Sequence, residues 1–337
     1  MISRKKSFPS VAVIGSGSWP TALIKLLTEN KIETRWWVRK EQDVDFIKRF
    51  WHNPNYLTSV LIDKRFVKPS TNVKNIVSKS DYVLFAVPAA YVLNVLNTLP
   101  KDVFKNKKII TAIKGMIPEH NALVSDYLMQ NFNVKEKDIA IISGPCHAEE
   151  VAMGKQSYLT LGTIDKENFK EALNFFSGSY TKVSVLSDVV GIEYAAIMKN
   201  VYAIACGVSY GINFGDNFQA VLVSNAMQEI AIFLNQLYPG ADRDLSRSPY
   251  LGDLLVTTYS QFSRNRTLGT MVGRGYTVKS ALIEMKMVAE GYYAIKSLKY
   301  VIDKNKLDLP ICEAVYRIMY DNVSPLVEYH LLKSKLS

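Results

Sequence analysis

An acid, several hydroxyls and the run Arg264-Asn265-Arg266 crowd into residues 252–269, where no amphipathic pattern calls for them. That mixture suits a phosphorylated polyol. Asp253 can accept a hydrogen bond from a hydroxyl. Ser263, Arg264 and Asn265 suit a phosphate if they open a helix, where free backbone N–H groups and the helix dipole also favour an anion. An isolated Arg-x-Arg reads equally as a turn leading into a basic solvated helix face. A second signal, near the other end of the chain, tips the reading towards chemistry.

That signal is the apolar run 11–14 followed by Gly15-Ser16-Gly17-Ser18-Trp19-Pro20 and a helical pattern. It predicts a strand, a turn and a helix. Gly15 permits the tight turn, and Gly17 lets the backbone approach a pyrophosphate held at the helix N-terminus. The third glycine of this dinucleotide-binding fingerprint is replaced by Pro20, which a first helical turn tolerates because that N–H has no intrahelical partner. The following strand ends on Arg39 and Lys40 instead of an acid that would hold a ribose 2′-hydroxyl. Arg39 therefore suits a 2′-phosphate, which favours NADP(H) and leaves NAD(H) open. A third candidate is Lys199, set among Ala195, Ala196, Tyr202 and Ala203 with no carboxylate at helical neighbour positions. Desolvation would lower its pKa and make it a usable proton donor and acceptor near neutral pH. The alternative is a lysine whose stem covers apolar surface while its ammonium reaches water.

These residues need a scaffold, and the pattern supplies one. Strand-like runs recur at 11–14, 34–38, 82–87, 108–113, 139–143, 158–162 and 182–186, several separated by helical patterns. The alternation predicts an α/β fold, a Rossmann-like doubly wound sheet with its ligand at the carboxyl ends of the strands. Residues 86–89 and 113–115 should then lie on the ligand rim. Past residue 188 the pattern turns helical, at 190–208, 217–237, 281–302 and 310–320. We expect a nucleotide-binding domain over 1–188 and an all-helical substrate-binding domain over 189–337.

The chain has 337 residues, 48% of them hydrophobic, enough for two sizeable cores. Cys146, Cys206 and Cys312 are odd in number and far apart, which argues against a disulfide framework. His52, His120, His147 and His330 lack metal-ligand spacing, so no metal is expected. No membrane span is expected either. The first ten residues carry bases, but too short an apolar stretch follows for a signal peptide, so the expected location is the cytoplasm. The net charge of +10 is spread among acids, which argues against nucleic acid and for small acidic ligands. Lys333 and Lys335 read as a solvated end.

With these segments placed, the chain resembles the bacterial-type NAD(P)-dependent glycerol-3-phosphate dehydrogenases over essentially its whole length. The likeness rests on residues 15–22, Lys114-Gly115, residues 143–150, 193–200 and 252–269, and Val288-Ala289-Glu290-Gly291. It implies reversible hydride transfer interconverting dihydroxyacetone phosphate and sn-glycerol 3-phosphate, chiefly to supply phospholipid synthesis. By the resemblance Lys199 is the proton acceptor of alcohol oxidation, Lys114 touches both cofactor and substrate, and Asp253 orients substrate and Lys199. Ser263, Arg264 and Asn265 match substrate contacts, as do Gly144 and Cys146. Ser18, Trp19, Arg39, Ala148, Arg264, Val288 and Glu290 match cofactor contacts.

The departures are Pro20, Cys146 where the family often carries serine or threonine, and Ala112-Ile113 where a cysteine is common. A homodimer is also implied, and the apolar faces of 201–208 and 221–237 could either bury within the chain or supply its surface. Two other readings stay open: a related dehydrogenase of another hydroxy acid or sugar phosphate, and a non-catalytic NADP(H)-binding protein. Joint retention of Lys114, Lys199 and Asp253 speaks against the second.

Overall fold

The computed structural model describes residues 9–239, 243–285 and 287–337; residues 1–8, on which part of the leader reading falls, lie outside them. The chain begins as an alternation of strands and helices. These are β1 (Val11–Ile14), α1 (Ser18–Glu29), β2 (Thr34–Trp37), α2 (Glu41–Phe50), β3 (Val67–Ser70), α3 (Val73–Ser78), β4 (Tyr82–Phe85) and α4 (Val92–Leu96). There follow β5 (Lys108–Thr111), α5 (Val124–Phe132), β6 (Ile139–Ser143), α6 (Ala148–Ala152), β7 (Ser157–Gly162), α7 (Lys170–Phe176) and β8 (Thr181–Leu186). From there the described chain is helical: α8 (Val189–Gly211), α9 (Gly215–Leu237), α10 (Asp253–Tyr259), α11 (Arg264–Gly273), α12 (Val278–Glu284), α13 (Glu290–Asn305), α14 (Pro310–Met319) and α15 (Pro325–Leu332).

The eight strands form one sheet in the order β3-β2-β1-β4-β5-β6-β7-β8. All neighbours are parallel except β6 and β7. Strands β1, β4 and β6 are buried from end to end, as a sheet covered on both faces requires. Strand order reverses between β1 and β4, which opens a crevice beyond their carboxyl ends. Ile14 pairs with both Trp37 and Phe85, so the three strand ends are level there. Gly15 then turns so closely beneath the next segment that a Cβ on it would stand 2.6 Å from the Ala86 carbonyl oxygen.

The sequence reading found seven of these strands and missed β3. Pro69 removes a ladder donor, which is tolerated because β3 lies at the sheet edge. The runs 82–87 and 108–113 overran their strands, whose last residues leave the ladder to line the crevice.

Helix α8 is the axis of the helical part. It is long and apolar enough to cross a membrane, but it is almost wholly buried among the surrounding helices and β6, as a helix apolar on every side must be. Residues 201–208 are therefore consumed within the chain, whereas Val221 and Ile232 on α9 face outward. Helix α11 crosses α8 at backbone contact. A Cβ on Gly207 would stand 2.1 Å from the Arg266 carbonyl oxygen, and one on Gly269 2.1 Å from that of Ile204.

The continuous helix expected over 281–302 is broken: α12 ends at Glu284 and α13 starts at Glu290, with residue 286 outside the described residues. Tertiary contact overrides periodicity there. The Gly291 N–H donates to Asn265 Oδ1 at 2.9 Å, and a Cβ on Gly291 would lie 2.5 Å from the Asn200 carbonyl oxygen.

Candidate active site

A cavity of about 270 Å³ opens at the carboxyl ends of β1, β4 and β5, between the sheet and helices α8, α10, α11 and α13. Of the expected rim, residues 86–88, Ile113 and Lys114 line it, joined by Ala112, whereas Ala89 and Gly115 stand outside the lining. From the sheet side it gathers Gly17, Ser18, Trp19, Lys114, Cys146 and Ala148; from the helices it gathers Lys199, Ser263, Arg264, Asn265, Val288 and Glu290. Four of the residues singled out in the sequence stand apart from its walls. Gly15 lies beneath the glycine turn. Gly144, at a φ of 124°, has its backbone pressed against Tyr158. Asp253 is fully buried behind the wall, and Arg39 is exposed just past β2.

The glycine turn works as its pattern predicts. Gly17 caps α1, and a Cβ there would meet nothing nearer than the Pro20 ring at 3.9 Å, so its surroundings are open. Pro20 sits buried in the first helical turn. The Asn53 side chain pins the turn by donating to the Ser16 carbonyl at 2.9 Å and to Thr21 Oγ1 at 2.8 Å. Tyr56, from the same loop, lines the cavity. No periodicity in that loop signals either residue.

The charged centre is Lys199, Asp253 and Lys114. Lys199 is 4% exposed on α8 and pairs directly with Asp253 Oδ1. Lys114 Nζ lies 3.4 Å from Asp253 Oδ2, which also accepts from Ser143 Oγ at 3.1 Å. Asp253 is the first residue of α10, where the helix dipole favours a carboxylate. Burial pushes the Lys199 ammonium down to about 7; Asp253 opposes that shift, and Lys114 adds to it. Burial drives the Asp253 carboxyl up, but the two ammonium groups and its hydrogen bonds outweigh burial and hold it below the ordinary range. With Lys199 protonated, two cations against one anion leave the centre positive, as an anionic ligand needs.

Ser263 does open a helix. Its Oγ accepts from the Arg266 N–H at 3.3 Å and caps α11. Arg264 reaches across the cavity to Ser18 Oγ at 3.1 Å and Glu149 Oε1 at 3.4 Å, joining α11 to the glycine turn. Asn265 accepts from Gly291 N–H and donates to Asn200 Oδ1 at 2.9 Å; Asn200 in turn donates to the Lys114 carbonyl at 2.9 Å. Asn200 thus sets the Lys114 loop, and sequence reasoning missed it. The signal was present: a polar residue beside Lys199 on an otherwise apolar helix.

Cys146 keeps its thiol proton, burial having pushed its pKa up to about 12, and donates it to the Tyr158 carbonyl at 3.3 Å. Glu290 accepts from the Ala89 N–H at 3.2 Å, and burial raises its carboxyl to about 7. Trp19 Nε1, Arg264 Nε and Glu290 Oε2 are buried without a partner among the described residues. Orphaned donors and an acceptor on facing sides of the cavity fit a polar ligand such as a dinucleotide.

Residues 10–169 match the family model for the NAD-dependent glycerol-3-phosphate dehydrogenase N-terminus, and residues 188–328 match that for its C-terminus. The chain is 32% identical over 315 residues to the glycerol-3-phosphate dehydrogenase [NAD(P)+] of Oceanobacillus iheyensis, covering 94% of this chain and 91% of the relative. It is 33% identical to the enzyme of the same name from a Thermotoga species, covering 93% of each. The crystal structure of glycerol-3-phosphate dehydrogenase from Coxiella burnetii superposes with a TM-score of 0.90 at 25% identity, covering 96% of this chain and 98% of that one.

Proposed function

Because the chain belongs to the NAD-dependent glycerol-3-phosphate dehydrogenase family, we propose that the cavity is its active site and that Lys199 is the general acid and base. The protein is an NAD(P)-dependent oxidoreductase acting on a CH–OH group. It interconverts dihydroxyacetone phosphate and sn-glycerol 3-phosphate, a precursor of glycerophospholipids. The buried Lys199–Asp253–Lys114 centre is the observation that carries the assignment of roles.

When bound, the nicotinamide cofactor supplies the hydride to carbon 2, or accepts it in the reverse direction. Negative charge then grows on the carbonyl oxygen. The Lys199 ammonium donates its proton there, and as an amine it takes that proton back during alcohol oxidation. Its pKa near 7 makes both forms available. Lys114 adds a second positive charge where the oxyanion develops. Asp253 holds the two ammonium groups in register. Ser263, Arg264 and Asn265 take the substrate phosphate and glycerol at the start of α11, with the Gly144–Cys146 turn closing the other side.

Gly15, Gly17, Ser18 and Trp19 receive the cofactor pyrophosphate end, while Ala148, Val288 and Glu290, with Lys114 and Arg264, complete its pocket. Arg39 pairs with a 2′-phosphate, which makes NADP(H) the preferred partner and NAD(H) the weaker one; its exposure past β2 supports that reading. The chain divides into a cofactor domain over 1–188 and a substrate domain over 189–337, works in the cytoplasm and pairs as a homodimer. The outward Val221 and Ile232 on α9 support a partner there.

The test is oxidation of NADPH or NADH by dihydroxyacetone phosphate, followed by absorbance. Faster turnover with NADPH is the expected outcome. Preference for NADH overturns the role of Arg39 alone. Absence of turnover in folded, cofactor-binding protein favours another phosphorylated substrate or a non-catalytic role.

A further inference from the structure

Helix α15 presents an apolar surface outward as well as inward. Its inner face is fixed: Tyr329 is fully buried with its hydroxyl donating to the Ala205 carbonyl at 2.5 Å, and buried Glu328 pairs with Arg317 at 2.8 Å. The chain beyond it is also held. The Asn225 side chain donates to the Ser337 carbonyl at 2.8 Å and accepts from the Ser337 N–H at 3.2 Å. The lysines that read as a solvated end in the sequence therefore follow a rigid, docked helix.

On the outer face, Leu326, Val327 and Leu331 are 50%, 54% and 54% exposed. With exposed His330 they fall within one arc, roughly 140° wide at about 100° per residue. A helix that is apolar on both sides needs a cover on the second. The charge around this face states the character of that cover. Exposed Lys333 and Lys335 border the apolar arc, and the one acid between residues 325 and 337 is Glu328, turned inward to Arg317. The chain as a whole carries +10. Exposed Asp321 before the helix and exposed Asp216, two residues from the Phe214 that packs on His330, are acids of neighbouring elements; on α15 and the turn after it, protruding aliphatic side chains beside lysines, with no outward acid, complement a surface that is apolar within and anionic at its edge.

We propose that the outer face of α15 docks this protein on an anionic lipid bilayer, with Leu326, Val327 and Leu331 entering the headgroup boundary and Lys333 and Lys335 meeting lipid phosphates. This surface is separate from the catalytic cavity and does not depend on the roles assigned there.

Co-sedimentation of the full chain with phosphatidylcholine vesicles, with and without phosphatidylglycerol, tests the proposal. The expected result is binding to the anionic vesicles alone, weakened by salt. The double variant Leu326→Ser, Leu331→Ser should lower the partition coefficient about tenfold or more, and Lys333→Glu with Lys335→Glu should abolish the dependence on phosphatidylglycerol. Both variants should keep wild-type melting temperature and turnover, because the changed side chains are exposed and remote from the cavity. Wild-type protein that stays in the supernatant with either vesicle overturns the proposal. So does a fall in solution mass by light scattering for the leucine variant, which would assign the face to contact between copies.

Discussion

Lys199 does its work because nothing on its own helix neutralises it. The residues one turn away are small or aromatic, so its counter-charge comes from Asp253, at the start of another helix. That isolation is legible in the sequence itself, whereas the pairing comes only through the family resemblance, because contact across the fold leaves no spacing to read. The resemblance has Asp253 orient both substrate and Lys199; in the structure it is fully buried and bonded to two lysines and Ser143. Replacing Lys199 by Ala should lower kcat by about 10²–10⁴-fold while cofactor affinity, read by fluorescence titration, stays within a few-fold. The pH dependence follows from the sign of its titration. Ketone reduction needs the ammonium, so its rate should fall as pH rises through about 7; alcohol oxidation needs the amine and should rise over the same interval. Asp253→Asn removes the charge that opposes the burial shift. The falling limb of the reductive kcat/KM profile should then move to lower pH, and a limb that stays in place would remove Asp253 from control of Lys199.

At the scale of elements, the strands that anchor the site were readable because a covered parallel sheet demands unbroken apolar runs. β3 was missed because a short edge strand carrying Pro69 has no such demand. The break between α12 and α13 leaves no mark in the periodicity; α13 starts where Gly291 is fixed against Asn200 and Asn265. The close crossing of α8 and α11 had a signal that periodicity analysis does not weigh: Gly207 and Gly211 on one helix, Gly269 and Gly273 on the other, each pair four residues apart. Without side chains there, the backbones touch, and the start of α11 is brought beside Lys199 and Asn200 in the middle of α8. A single methyl should be costly. Gly269→Ala drives a Cβ into the Ile204 carbonyl and should destabilise the fold by about 1–3 kcal/mol in urea titration. It should also raise KM for the phosphorylated substrate, because Arg264 and Asn265 ride on the displaced helix. Unchanged stability and KM together would show that the crossing has slack.

Across the whole molecule, elements far apart in sequence are joined by buried carboxyl groups. Glu193 on α8 accepts from Ser125 Oγ at 2.5 Å in the first turn of α5, tying the helical part to the sheet. Glu229 on α9 accepts from the Ile311 and Cys312 N–H groups at 2.5 and 3.2 Å and caps α14. Glu290 bridges α13 to the Ala89 turn. Burial dominates all three and lifts each carboxyl to about 7, although their hydrogen bonds pull the other way. Each group holds a proton in the folded state that it has lost in the unfolded chain between about 4.5 and 7. Their contribution to stability is therefore complete below that interval and fades as pH rises through it. His147, pulled down by burial, acts in the opposite sense, losing stability as pH falls below its ordinary 6.5. Asp126, raised by its own burial, adds to the three carboxyls, while Lys199, lowered to about 7, opposes them above neutrality, so the carboxyls set the slope on the acid side. The melting temperature should fall between pH 5 and pH 7, and Glu193→Gln, which keeps the shape but cannot ionise, should flatten the curve by the share that Glu193 supplies. Parallel curves for wild type and variant would mean that Glu193 stays ionised inside the fold, and that the bonds from Ser125, not protonation, hold helix to sheet.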